Sequence, residues 1–201
     1  MSFRNQKLGV LPIDERPIDR THLKGVDFTI DCTWDGRPVD HDAIVGHMEW
    51  MFQKPAAGRP HKRVIKVTFK APLFDDPDPP EEFPGICPEL WNYEVVELFF
   101  ANAKNQYLEV EDNTWHCSIE LPIAYFPPKV TKFNAYAIHG TEPNRVYEAL
   151  YPVSDGTEEK PDFHKLEYFQ LIDMRRLIPD GFVAESFSDP KYGDMWREDS
   201  S

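Results

Sequence analysis

The chain has 201 residues, 41% hydrophobic and 13% aromatic, which is enough for one sizeable core and one main domain. A formal net charge of −13 argues against a nucleic-acid partner, which needs a basic face, and against an anionic membrane. No apolar run has signal-peptide or bilayer-spanning length and no Asn-x-Ser/Thr acceptor occurs, so the expected location is cytoplasmic.

Nineteen prolines against ten glycines point to irregular connections between short elements. Cys32, Cys87 and Cys117 cannot all pair within one chain, and their spacing matches neither a zinc motif nor a redox pair. Cys32 and Cys117 fall on the apolar parity of their segments, as buried free thiols do.

Residues 1–25 are charged, broken by Pro12 and Pro17, and read as an N-terminal extension. From 26 to 34 the chain alternates, with Val26, Phe28, Ile30, Cys32 and Trp34 facing one way, which predicts a half-buried strand. In residues 41–60, Ile44, Val45, Met48, Met51 and Phe52 recur at helical spacing, and a strand plus loop fits as well. Ile65, Val67 and Phe69 alternate with lysines and threonine in a second strand. Pro72 to Glu89 is a long, acidic, proline-rich loop.

The segment from Leu90 to Phe100 then predicts a strand buried in the core from about Asn92. Glu97 lies there on the same side as Val95 and Phe99, where a charge is costly unless paired. Further strands are expected at 107–111, 115–121 and 132–139, with a hairpin partner at 145–151 and one helical turn at 122–126. Phe163 to Leu171 is a last strand or short helix, and 172–201 is a polar tail. Seven or so short strands read as an antiparallel β-sandwich over 26–171.

Few side chains carry chemistry. Glu94 with Glu97, or Glu109 with Glu111, would serve a glycosidase only at a set separation, which strand spacing cannot supply. Asp75, Asp76, Asp78, Glu81 and Glu82 match no calcium loop, so no metal is assigned. His139, His164 and Asp162 lack an accompanying nucleophile motif. His139 precedes Gly140 at a strand end with Arg145 and Tyr147 nearby, a corner that lines a cleft or caps the hairpin.

The segments 90–100 and 106–111, with Tyr125-Phe126-Pro127-Pro128-Lys129-Val130, Ala137-Ile138-His139-Gly140, Tyr147-Glu148-Ala149-Leu150-Tyr151-Pro152 and Pro161-Asp162-Phe163-His164, resemble an uncharacterised eukaryotic family. Its human representative is the chromosome 4 open reading frame 33 protein. The likeness covers about residues 27–170. Members of that family carry extra strands between the Tyr-Leu-Glu-Val-Glu segment and the tryptophan strand. Here Glu111 runs almost directly into Trp115, which implies a sandwich trimmed in the middle or a missing segment.

More remotely, the Trp-x5-Glu-x-Phe pattern is similar to family-9 carbohydrate-binding modules and DOMON-like sandwiches. In their sugar-binding members that tryptophan and glutamate line the cleft, which puts Trp91 and Glu97 at a ligand site. The expectation is thus a carbohydrate-binding-module-like domain, non-enzymatic and without cofactor. Its ligand site comprises Trp91, Glu97, His139, Arg145 and Tyr147, and its ligand is a glycan-like small molecule. The alternative is a protein-interaction scaffold using the loop 72–89, and a hydrolase is the weakest reading.

Overall fold

The computed structural model describes residues 25–53, 62–74, 76–77, 89–112, 118–127 and 129–177. The N-terminal extension, most of the acidic loop, Cys87, Cys117, Trp115 and the tail beyond 177 lie outside these residues.

Two antiparallel sheets face each other. The first holds β1 (Val26–Ile30), β2 (Ile44–Gln53), β3 (Lys62–Lys70) and β6 (Ser118–Pro122), in the order β1-β2-β3-β6. The second has the order β5-β4-β7-β8, with β4 (Val95–Asn102), β5 (Tyr107–Asp112), β7 (Val130–His139) and β8 (Val146–Ala149). The two-residue β9 (Gln170–Leu171) pairs with β7. The described residues therefore form an all-β sandwich, and none of their helices is long and apolar enough to cross a membrane.

Strand parity builds the core. Phe28, Ile30, Met48, Ile65 and Phe69 from the first sheet meet Leu98, Phe100, Phe133 and Ala135 from the second. Each of these buried side chains other than Ala135 contributes about 1.5–3 kcal/mol. β4 is buried on its other face too. Val95, Phe99, Tyr136 and Ile138 form a second layer, closed over by Phe163 and Phe169 from the chain after β8. This double burial explains why β4 is apolar at nearly every position.

Several expectations are resolved or corrected by this arrangement. Residues 44–53 are strand, because tertiary pairing with β1 and β3 overrides the helical spacing of the aliphatics. The strand beginning at 26 does not run to Trp34. After Ile30 the chain crosses to the second sheet, where the Trp34 amide donates to the Tyr147 carbonyl at 2.8 Å and the Ala149 amide donates to the Cys32 carbonyl at 3.0 Å. Trp34 consequently packs on the outer layer, apart from Val26, Phe28 and Ile30. Residues 90–92 form a 3₁₀ turn ahead of β4, and the turn at 123–125 is likewise 3₁₀. Residues 166–168 are 3₁₀ as well. Packing also continues past Leu171, since Ile172 and Leu177 are buried in the inter-sheet core.

Candidate functional site

Two neighbouring features meet at the β7–β8 end of the sandwich. One lies on the outer face of the second sheet and the other at the mouth of the inter-sheet space.

The outer feature is a cleft of about 520 Å³ walled by Trp34, Arg37, Pro38, Arg145 and Tyr147. The crossing of residues 32–34 onto β8 brings Trp34 beside Tyr147. Arg145, on the cleft wall, also ties down the turn ahead of β4. Its Nη1 donates to the carbonyls of Asn92 at 2.9 Å and Gly140 at 3.0 Å, and its Nη2 donates to those of Tyr93 at 2.9 Å and Trp91. All four terminal N–H groups are thereby committed, so Arg145 positions the 90–92 turn rather than offering its fork to a ligand. Gly140 supports this geometry with φ +78, a left-handed conformation that suits glycine.

The inner feature collects titratable side chains. On β7 and β8 the register pairs His139 with Val146 and Ala137 with Glu148, so His139 and Glu148 are diagonal neighbours on the inner face. His139 Nε2 lies 2.8 Å from Glu148 Oε1. His41, from the β1–β2 connection, brings its Nε2 to 3.0 Å from the same oxygen. The two imidazoles sit edge to face at 5.2 Å, and the Phe74 ring stacks on His139 at 3.7 Å. Glu148 has no solvent exposure, and its Oε2 has no hydrogen-bond partner.

Two more carboxylates approach. Asp76 accepts a hydrogen bond from the Gly140 amide at 2.7 Å. Glu94 immediately precedes the Val95–Ile138 pair, on the same parity as the inward-facing Leu98 and Phe100. Burial, then the charges of Asp76 and Glu148, push its carboxyl up to about 8, and its Oε2 is buried without a hydrogen-bond partner. Three carboxylates and two imidazoles thus share one sandwich mouth. A set of this kind can hold a cation or exchange protons.

The expected site residues divide between these features. His139 belongs to the inner cluster, whereas Arg145 and Tyr147 line the outer cleft. Trp91, 52% exposed, sits on the turn that Arg145 ties down. Glu97 is buried between Glu111 and Tyr136 in register, on the face of Val95 and Phe99. Glu94 and Glu97 therefore face opposite ways and form no glycosidase pair. Of the His139–His164–Asp162 grouping, His164 and Asp162 stay together at 3.7 Å, exposed and with His164 edge-on to Phe99 and Tyr107, while His139 belongs to the inner cluster. The side chains of Glu109 and Glu111 lie outside the described residues.

His41, Phe74 and Glu148 do not stand out as a site in the sequence, and Glu94 enters it only beside Glu97. For Glu148 a signal existed, because a charge within Val146-Tyr147-Glu148-Ala149-Leu150 raises the same burial conflict as Glu97. For His41 nothing in the spacing points to His139.

Fold and site together define an all-β sandwich with a histidine–carboxylate cluster at one end and an aromatic cleft beside it. The chain belongs to the UPF0462 family of C4orf33 proteins. It is 37% identical to the UPF0462 protein C4orf33 homolog of Mus musculus over 208 residues, covering 85% of this chain and 100% of that protein. It is 36% identical to UPF0462 protein C4orf33 of Homo sapiens over 208 residues, with 85% and 96% covered, and 38% identical to the Danio rerio homolog over 210 residues, with 85% and 98% covered. Because 85% of this chain amounts to fewer than 208 residues, the relatives carry positions with no counterpart here. No family model matches the chain. No solved structure matches it either.

Proposed function

We propose that this protein is a non-catalytic cytoplasmic binding domain whose ligand is a carbohydrate-like small molecule held against Trp34 and Tyr147. One observation carries the reading: the cleft of about 520 Å³ at the sandwich end joins two aromatic side chains to a polar rim. Sugars present apolar C–H faces to aromatic rings and hydroxyls to polar edges, so an aromatic wall with a phenol and backbone groups at its margin suits them. The pattern likeness to carbohydrate-binding modules supports the same class, with Trp34 taking the platform role expected of Trp91. The net charge of −13 is consistent with a neutral ligand and with no nucleic-acid partner.

The test is thermal shift followed by calorimetry with mono- and oligosaccharides, run in the presence of a chelator. A saturable rise in melting temperature that disappears in Trp34→Ala and persists in Trp91→Ala supports the reading. Absence of any shift at millimolar saccharide rules it out.

A second reading, protein contact through the acidic loop 72–89, draws on Leu73, which is 76% exposed at the loop's start. Deleting 78–88 is expected to abolish a pull-down partner under that reading, and a partner retained by the deletion variant ends it.

A further inference from the structure

Nδ1 of His41 lies 2.9 Å from the backbone carbonyl of Asp42. A carbonyl only accepts, so this contact places a proton on Nδ1 and leaves Nε2 of the neutral ring as a lone pair. That lone pair faces Glu148 Oε1 at 3.0 Å with no hydrogen bond between them. Two acceptors meet there inside the protein, beside a carboxylate of zero exposure. Its Oε1 has a hydrogen-bond contact with His139 Nε2 at 2.8 Å, but its Oε2 has none, and a buried carboxylate so placed favours a cation beside it. The nearest arginine on the same hairpin, Arg145, has given its four terminal N–H groups to carbonyls.

The three donor atoms converge, each imidazole Nε2 lying within 3.0 Å of Glu148 Oε1. His41 Nε2, His139 Nε2 and a Glu148 oxygen all lie within 4.8 Å of one another. A cation about 2.0–2.2 Å from each donor, the usual range for imidazole nitrogen and carboxylate oxygen, has ligands about 3 Å apart where they are neighbours in a six-coordinate shell. The 3.0 and 2.8 Å separations of His41 Nε2 and His139 Nε2 from Glu148 Oε1 match that edge length. The carbonyl on His41 Nδ1 is the outer partner that metal-binding histidines characteristically have. Phe74 covers one face of His139 and keeps water from it, while Glu94 stands on the same face of the second sheet with a buried, unpartnered oxygen.

We propose that His41 Nε2, His139 Nε2 and the Glu148 carboxylate bind one divalent first-row transition-metal ion. Two imidazoles and one carboxylate select zinc, cobalt, nickel or iron(II) over calcium and magnesium, which prefer all-oxygen shells. Three protein ligands leave coordination positions free for water. The site is independent of the saccharide cleft and survives that reading's failure.

The test uses the full chain, stripped with chelator and dialysed, then titrated with Co²⁺. One equivalent is expected to produce visible d–d absorption that Zn²⁺ displaces, and Zn²⁺ is expected to raise the melting temperature where Ca²⁺ and Mg²⁺ do not. His41→Ala, at the edge of the cluster, should retain the wild-type circular dichroism and lower Co²⁺ affinity at least about tenfold. Glu148→Gln should do the same if it folds. The proposal is overturned by an absent cobalt spectrum, by unchanged affinity in folded His41→Ala, or by a larger shift with Ca²⁺ than with Zn²⁺.

Discussion

The Phe74 ring lies flat on the His139 imidazole, 3.7 Å between centroids and 8° from parallel. Phe74 lies four residues past the end of β3, near the start of the acidic loop, so this stack pins the start of that loop to the end of β7. Phe74 also meets His41 edge-on at 4.9 Å, which holds both imidazoles in their orientation about Glu148. Phe74→Ala is expected to cost about 1 kcal/mol, the scale of one aromatic pair. It should also move the His139 ring-proton resonance downfield as the ring current is lost. A His139 resonance that stays in place in the folded variant would contradict the stack.

Glu94 makes stability depend on pH in a defined direction. In the metal-free folded protein its carboxyl holds a proton up to about pH 8, chiefly through burial, against an ordinary value of 4.5. Between those values the folded state binds more protons than the unfolded state, so stability falls as pH rises. The contribution is complete below 4.5 and gone above 8. Urea midpoints measured in chelator at pH 5, 6.5 and 8 should therefore decline, and Glu94→Gln should decline less. Equal slopes for the two proteins would show that Glu94 ionises freely.

How far the sequence reveals this architecture depends on which interactions are local. Alternation in Ile65–Phe69 and in Phe133–Ile138 announces strands because each residue's face is set by its own parity. The crossing at Cys32–Trp34 is not legible that way, since the same alternation continues while the chain changes sheets. What fixes it is pairing with Tyr147 and Ala149, more than a hundred residues on. The site follows the same division. His139 at a strand end and Arg145 and Tyr147 across the hairpin are local neighbours, so their corner can be read from the chain. His41 reaches it only through the fold. Glu97, the conspicuous buried charge, occupies the outer layer, whereas Glu148 carries the same conflict into the histidine cluster.

Arg145 should be irreplaceable by lysine. A single ammonium cannot reach the carbonyls of Asn92, Tyr93 and Gly140 at once, because the planar fork supplies the separated donors. Arg145→Lys is expected to lose about 1–3 kcal/mol. Amide exchange of residues 90–94 should rise well beyond what global destabilisation explains, and Trp91 should lose its fixed position on the 90–92 turn. Exchange in that turn unchanged from wild type would show that the clamp is dispensable.

Gly46 is required by the ring opposite it. It pairs with Phe28 across β1 and β2, and a Cβ at position 46 would lie 2.2 Å from Phe28 Cζ and 2.5 Å from Cε1. Phe28 cannot withdraw. It is 1% exposed and wedged edge-on between Phe69 at 5.8 Å and Phe133 at 5.5 Å, the second of these on the opposite sheet. Forcing a methyl group into such a site displaces the ring from its rotamer and costs about 1–3 kcal/mol. Gly46→Ala should lower the urea midpoint accordingly. The double variant Gly46→Ala, Phe28→Leu should lose less than the sum of its parts, because the smaller side chain makes room for the new methyl group. Strict additivity in that cycle, or a Gly46→Ala effect within about 0.5 kcal/mol of zero, would mean that the sheets separate freely at this point.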